Sequence, residues 1–159
     1  MNLSNSKPTD MNLEQLVQKL KSEDARYSHL SMAFQIIYWV FIPLYSLLSI
    51  IEYLENSEIE HLISGGFYVA SFFTFALFFR MYHKEYKSVD YSLPTLTMLK
   101  QAAYRYQPFQ KRTLWILLAV VFMDFGISLN SLSRIDIIYI QIAFWGAMII
   151  AVLIGLLIW

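Results

Sequence analysis

Four apolar segments, each about as long as a lipid bilayer is thick, constrain this chain more than any other feature. A helix rises about 1.5 Å per residue, so about 20 mostly apolar residues cross a hydrocarbon core of roughly 30 Å. Such segments occupy residues 33–51, 62–79, 113–129 and 137–158. Because backbone groups in lipid must form their hydrogen bonds within the segment, each one should be a helix. The sequence therefore predicts an all-α, multi-pass membrane protein whose four transmembrane helices form a four-helix bundle.

A soluble bundle with unusually apolar core helices is the alternative interpretation. Hydrophobic residues make up 57% of the chain and charged residues 15%, whereas soluble domains have roughly 45–50% and about 25%. A helix at the surface of a soluble protein keeps one polar face toward water. The segment 137–158 has Gln141 as its one strongly polar side chain. Composition and pattern both favour the membrane.

The lysines and arginines alternate between connectors in a way that predicts orientation. The segment before the first span carries four of them and the connector between spans two and three carries seven. The connector after span one has none, and the connector after span three has only Arg134. Because cytoplasmic segments are enriched in Lys and Arg, we expect both termini and the middle connector to be cytoplasmic, in a cell (inner) membrane protein.

Aromatic and basic residues at the ends of the spans are predicted to anchor the protein at the inner interface, where amphipathic rings and positive charge are favourable. A specific site for an anionic lipid in the middle connector is an alternative. The predicted anchors are Trp39, Tyr104, Arg105, Tyr106, Lys111, Arg112 and Trp115.

Two cytoplasmic helices are predicted outside the spans. A polar tail, residues 1–11, precedes an amphipathic helix at 12–32, and the membrane domain at 33–159 contains a connector helix at about 92–107. Ser92 is expected to cap this connector helix, and Pro108 to end it. Its apolar stripe consists of Leu96, Leu99, Ala103 and Tyr106. The helix at 12–32 could lie on the inner leaflet, dock on a partner or cover the protein's own inner face.

Small residues in steps of four form stripes on the second and fourth spans. Such stripes let helix backbones approach closely in a membrane. The two stripes could pack against each other within one chain, or one could form the seam of a dimer. They consist of Gly66, Ala70 and Thr74 on span two, and Ala143, Ala147, Ala151 and Gly155 on span four.

Asp124 is the single Asp, Glu, Lys, Arg or His residue within the four spans. A charged group at such a depth costs at least about 2.5–3.5 kcal/mol on insertion scales, so it should face the protein interior or a wet cavity. Three roles fit it: an ion or proton site, a protonated acid bonded to a polar side chain of another span, or a partner for a basic residue of another subunit. The partners considered within the chain are Tyr45, Ser46, Ser71, Thr74 and Gln141.

Several classes of chemistry find no support in the sequence. There is no cysteine, hence no disulfide or thiol chemistry. The one Glu-x-x-His step, Glu58 to His61, lies at the water boundary and occurs once, whereas di-iron bundles need it twice. We therefore expect no metal, cofactor, nucleic acid or catalytic role.

The favoured function is a non-enzymatic membrane subunit or regulator that presents its cytoplasmic helices to a protein partner or a second copy. The alternative is a small ion- or proton-coupled carrier or channel that uses Asp124.

Overall fold

The computed structural model of the protein describes residues 13–107, 114–131 and 137–158. Within these residues the fold is all-α, with five helices and no strand. They are α1 (Leu13–Asn56), α2 (Ile59–Lys87), α3 (Thr95–Arg105), α4 (Leu114–Ser131) and α5 (Ile137–Ile158).

The amphipathic segment at 12–32 and the first apolar segment form one continuous helix. α1 has 44 residues, and Pro43 lies inside it. At about 1.5 Å per residue the helix is about 66 Å long, twice what a hydrocarbon core of roughly 30 Å can cover. The polar N-terminal half of α1 therefore extends rigidly beyond its apolar half.

α1 and α2 form a tight antiparallel hairpin. Ser57 lies in the left-handed region at φ 58°, and its N–H donates to the carbonyl of Tyr53 at 2.8 Å, which turns the chain within two residues. The helices approach closely at Gly65, where an added Cβ would overlap the side chain of Ser49. Stacked rings fill the rest of the seam, with the ring of Tyr38 centred 4.9 Å from that of Phe75.

The main helix contacts follow the order α1, α2, α4, α5, with α2 packed between α1 and α4 and α5 packed against α4. Gly126 of α4 lies against α2, where an added Cβ would come within 3.1 Å of the Tyr68 ring. The hydroxyl of Ser71 on α2 donates across this seam to the carbonyl of Ala119 at 2.7 Å. Both seams depend on small residues that allow close helix packing.

Two helices, α1 and α2, are long and apolar enough to cross a membrane. No residue of the most apolar stretch of α1 is buried inside the protein. The described apolar stretches of α4 and α5, Leu114–Asn130 and Ile138–Ile150, are shorter. Large apolar side chains on them are nevertheless exposed, including Leu114, Ile138 and Ile142 at 65–69%.

The connector helix α3 is shorter than the predicted segment at about 92–107, and it buries a different face. Pro108, the residue predicted to end it, lies outside the described residues. Pro94 occupies the N-cap position, and Ser92 bonds instead to the carboxylate of Asp90 through its N–H at 2.9 Å and its hydroxyl at 2.6 Å. The buried residues of α3 are Met98, Ala102 and Arg105. In the predicted stripe, Leu96 and Ala103 are exposed, whereas Leu99 and Tyr106 are partly buried. α3 is therefore rotated about its axis relative to the prediction, so that the side chain of Arg105 points toward α1.

Candidate functional site

A buried carboxylate joins three segments of the chain that are far apart in sequence. Asp24 of α1 is only 1% exposed. Its Oδ2 accepts hydrogen bonds from Arg105 Nη2 at 3.0 Å and from the Tyr91 hydroxyl at 2.8 Å. Its Oδ1 accepts from the Tyr106 hydroxyl at 2.8 Å. We refer to Asp24, Tyr91, Arg105 and Tyr106 as the Asp24 cluster.

The carboxylate of Asp24 has the partners that a buried charge requires. Taking a carboxylate and a guanidinium out of water costs several kcal/mol each, which their attraction offsets only with good geometry and further hydrogen bonds. The two tyrosine hydroxyls supply those bonds to Asp24, while Arg105, 8% exposed, supplies the opposite charge. Tyr91 lies in the connector 88–94, whereas Arg105 and Tyr106 lie at the end of α3. Their bonds to Asp24 therefore fix both segments to α1.

Aromatic rings cover this ion pair. The rings of Tyr27 and Tyr86 stack with centroids 5.4 Å apart, and Tyr106 meets Tyr27 edge-on at 5.8 Å. Burial, together with the nearby Asp24 carboxylate, raises the pKa of Tyr91 to about 12 and raises the pKa of Tyr106 as well. Both phenols therefore remain protonated and keep donating to Asp24 at neutral pH.

Asp24 was not among the residues that the sequence singled out. Its neighbour Glu23 has a side chain that is 39% exposed and forms an ordinary surface pair with Arg26 at 3.6 Å. Local sequence does not distinguish these two acids. The partner of Asp24 lies 81 residues further along the chain, so only the folded structure identifies the buried one.

The predicted interface anchors separate into two groups. Trp39, Tyr104 and Trp115 are exposed, at 41%, 61% and 47%. Arg105 and Tyr106 turn inward to Asp24 instead, so the charge of Arg105 is already paired within the protein. Lys111 and Arg112 lie outside the described residues.

Asp124 of α4 has one buried carboxylate oxygen, Oδ1, that has no hydrogen-bond partner among the described residues. Four of the five side chains considered as its partners donate elsewhere. The hydroxyls of Ser46, Ser71 and Thr74 donate to backbone carbonyls, and Gln141 Nε2 donates to Ser128 Oγ at 2.9 Å. A hydrogen bond from one of these four groups is therefore not what holds Asp124 in the protein.

The small-residue stripes lie mostly away from the helix seams of the described protein. An added Cβ at Gly66 would meet open space, while Ala143 and Ala147 are exposed and Ala70 is partly exposed. Thr74 is buried and bonds to the carbonyl of Ala70 on its own helix. The surroundings of Ala151 and Gly155 lie outside the described residues. A seam with a second copy of the chain therefore stays a prediction.

His61 lies at the opposite end of α1 and α2 from the Asp24 cluster. It is 3% exposed, with Nδ1 3.5 Å from Glu52 and Nε2 3.2 Å from Glu58. Each ring nitrogen faces a different carboxylate, so a single ion could not bind one nitrogen and both acids. In the part of the chain that the structure describes, no three His, Cys, Asp or Glu side chains are grouped to hold a metal.

No protein-family model, curated protein or solved structure matches this chain. The function is therefore inferred from the site itself.

Replacing Asp24 with Ala should release α3 from α1. Removing one partner of a buried ion pair typically costs about 3–5 kcal/mol, because the other charge stays buried and uncompensated. Trypsin cleavage after Lys100, which requires α3 to open, should therefore accelerate by roughly 100-fold or more. Glu23→Ala is the matched control, and loss of its exposed ion pair should change the rate by no more than a few-fold. Equal rates in the two variants would contradict a role for the Asp24 cluster in holding α3.

Proposed function

We propose that this chain is a four-span protein of the cell membrane and serves as a non-enzymatic subunit or regulator whose cytoplasmic head docks a protein partner. The cytoplasmic head consists of the N-terminal half of α1, the end of α2 from residue 80, and α3. The observation that carries the proposal is the Asp24 cluster. It fixes α3 against α1 and so gives a preformed surface outside the apolar segments.

The same cluster supports the proposed orientation. Residue 24 precedes the first span, whereas residues 91, 105 and 106 follow the second. A contact between them requires the N-terminal segment and the middle connector to lie on one side of the membrane. The distribution of Lys and Arg independently predicts that arrangement.

The exposed apolar surface of α4 and α5 supports four spans rather than two. Leu117 is 56% exposed, and Trp145, Ile149 and Leu153 are 40–59% exposed. A soluble protein rarely leaves so extensive an apolar surface in water. In the proposed arrangement lipid covers these side chains.

The outward face of α3 is the surface that we propose for a partner. Leu96 is 68% exposed and Tyr104 is 61% exposed, and Ala103 lies beside them on the same helix. A partner helix could cover this exposed apolar stripe, because the opposite face of α3 holds Arg105 against Asp24 of α1. Aromatic residues such as Tyr104 often contribute strongly to protein interfaces.

A carrier or channel that uses Asp124 is the second candidate. Its support is the buried, unpartnered Oδ1 atom, since a carboxylate oxygen within a span is a common element of proton and cation sites. This candidate needs no partner protein, which separates it experimentally from the first.

The four-span arrangement can be tested with single cysteines, because the chain has none of its own. In right-side-out vesicles, an impermeant maleimide should label Glu55→Cys and Ser133→Cys, which lie in the basic-poor connectors. Ser88→Cys should react only after the membrane is permeabilised. Equal accessibility of residues 88 and 133 would show that α4 does not cross the membrane and would contradict the proposal.

A photo-reactive amino acid at Leu96 should cross-link the cytoplasmic head to its partner. Position 40 is the matched control, because Val40 is 57% exposed on the apolar part of α1, where lipid rather than protein is expected. We expect one discrete heavier adduct from position 96 in intact membranes and none from position 40. Adducts that contain only this chain, or none at position 96, would contradict a separate protein partner.

Asp124→Asn tests the carrier in purified proteoliposomes, because it removes the ionisable proton and keeps the side-chain size. If the second function is correct, the natural chain should dissipate an imposed pH or cation gradient faster than empty liposomes, and the variant should not. Unchanged helix content by circular dichroism would show that the variant still folds. A natural chain no faster than empty liposomes would exclude transport of the ions tested.

A further inference from the structure

A cavity of about 320 Å³ lies between α1 and α2, beside the Asp24 cluster. Lys21, Ser28 and His29 line it from α1, and His83 and Lys87 line it from α2. Its remaining lining residues are Ala25, Met32, Tyr86 and Tyr91. The cavity thus has two lysines and two histidines in its wall, and no carboxylate among the described residues that line it.

The Asp24 cluster leaves this cavity positively charged. Asp24 is four residues before Ser28 on the same helix, but Arg105 already neutralises its carboxylate. The two lysines of the cavity therefore keep their charge without Asp24 as a counterion. An anion that entered the cavity would supply the missing negative charge.

His83 is held in place across the cavity wall. Its Nδ1 lies 3.0 Å from both the hydroxyl and the carbonyl oxygen of Ser28. When Nδ1 accepts a hydrogen bond from the Ser28 hydroxyl, Nε2 carries the ring hydrogen and is the nitrogen that can donate to an anion. A ring fixed in this way loses little freedom when a ligand binds, which favours binding.

The cavity lies at the edge of the apolar segments on both helices. Met32 immediately precedes the first predicted span, 33–51, and His83 follows the second, 62–79, by one helical turn. If the proposed membrane arrangement holds, this is the depth of the phosphate groups of the inner leaflet. Lysines and histidines at that depth are suited to phosphate oxygens.

We propose that the cavity formed by Lys21, Ser28, His29, His83 and Lys87 binds a phosphate-bearing anion, supplied by the headgroup of an inner-leaflet phospholipid. The lysines provide charge, and the fixed His83 and Ser28 provide the polar wall. The site is separate from the predicted interface anchors that the structure describes, none of which lines it. The lipid source rests on the proposed function, whereas the phosphate chemistry rests on the cavity alone.

The test measures binding of phosphatidylglycerol to the purified full chain in detergent by native mass spectrometry. The site variant is Lys21→Gln with Lys87→Gln. The control variant is Lys19→Gln with Lys84→Gln, which makes the same change in charge on the same two helices outside the cavity. At about 1 kcal/mol for each lysine near a phosphate, the loss of two lysines should weaken binding by the site variant about 30-fold. The control variant should stay within a few-fold of the natural chain.

Glycerol 3-phosphate, a soluble compound with the same phosphate chemistry, identifies the source of the anion. Lipid binding without glycerol 3-phosphate binding supports a lipid headgroup. Binding of glycerol 3-phosphate that the site variant weakens supports the site with a soluble anion as its source. The soluble probe requires no membrane, so it tests the cavity even if cysteine labelling contradicts four spans. Equal loss in both double variants, or no binding of either probe by the natural chain, would overturn the proposal.

Discussion

The ion pair between Asp24 and Arg105 is the contact on which the part of this protein outside the apolar segments depends. α3 is short, with 11 residues, and isolated helices of that length are marginal in water. Its order comes from tertiary contacts, and the strongest of these is the carboxylate that accepts three hydrogen bonds. The aromatic rings around the pair exclude water, which strengthens the attraction but also makes an unpaired charge costly.

The packing of α1, α2, α4 and α5 obeys a different constraint. Where the surrounding solvent is lipid, apolar surface gains nothing by burial against other helices, so small residues and interhelical polar contacts hold the helices together. Gly65 and Gly126 serve this purpose at the two seams of α2, and Ser71 adds a hydrogen bond to the backbone of α4. The broad apolar surface that remains exposed fits the same solvent. It would be unfavourable in water.

The Asp24 cluster and the packed apolar helices are adjacent, because the cluster lies where the apolar stretches of α1 and α2 end. By pairing with Arg105, Asp24 both anchors α3 and leaves the neighbouring lysines without that carboxylate as a counterion. One buried interaction thus connects the proposed docking surface on α3 with the proposed anion site between α1 and α2. Asp124 lies outside this arrangement, on α4, and belongs to the second candidate function.

The sequence by itself determined the helical class, the approximate positions of the helices and the apolar character of their surfaces, because length and hydropathy are properties of contiguous residues. The fourth apolar segment, 137–158, coincides with α5, and the first lies within α1. The sequence also identified Arg105 and Tyr106 as candidate functional residues, but it predicted that they anchor the protein at the membrane interface. Only the tertiary structure decided that Asp24 is buried while Glu23 is not, which face of α3 packs, and that Gly65 rather than Gly66 lies at the helix seam. Each of these depends on a contact between residues far apart in the chain, and no local pattern encodes which of two neighbouring residues will meet its partner.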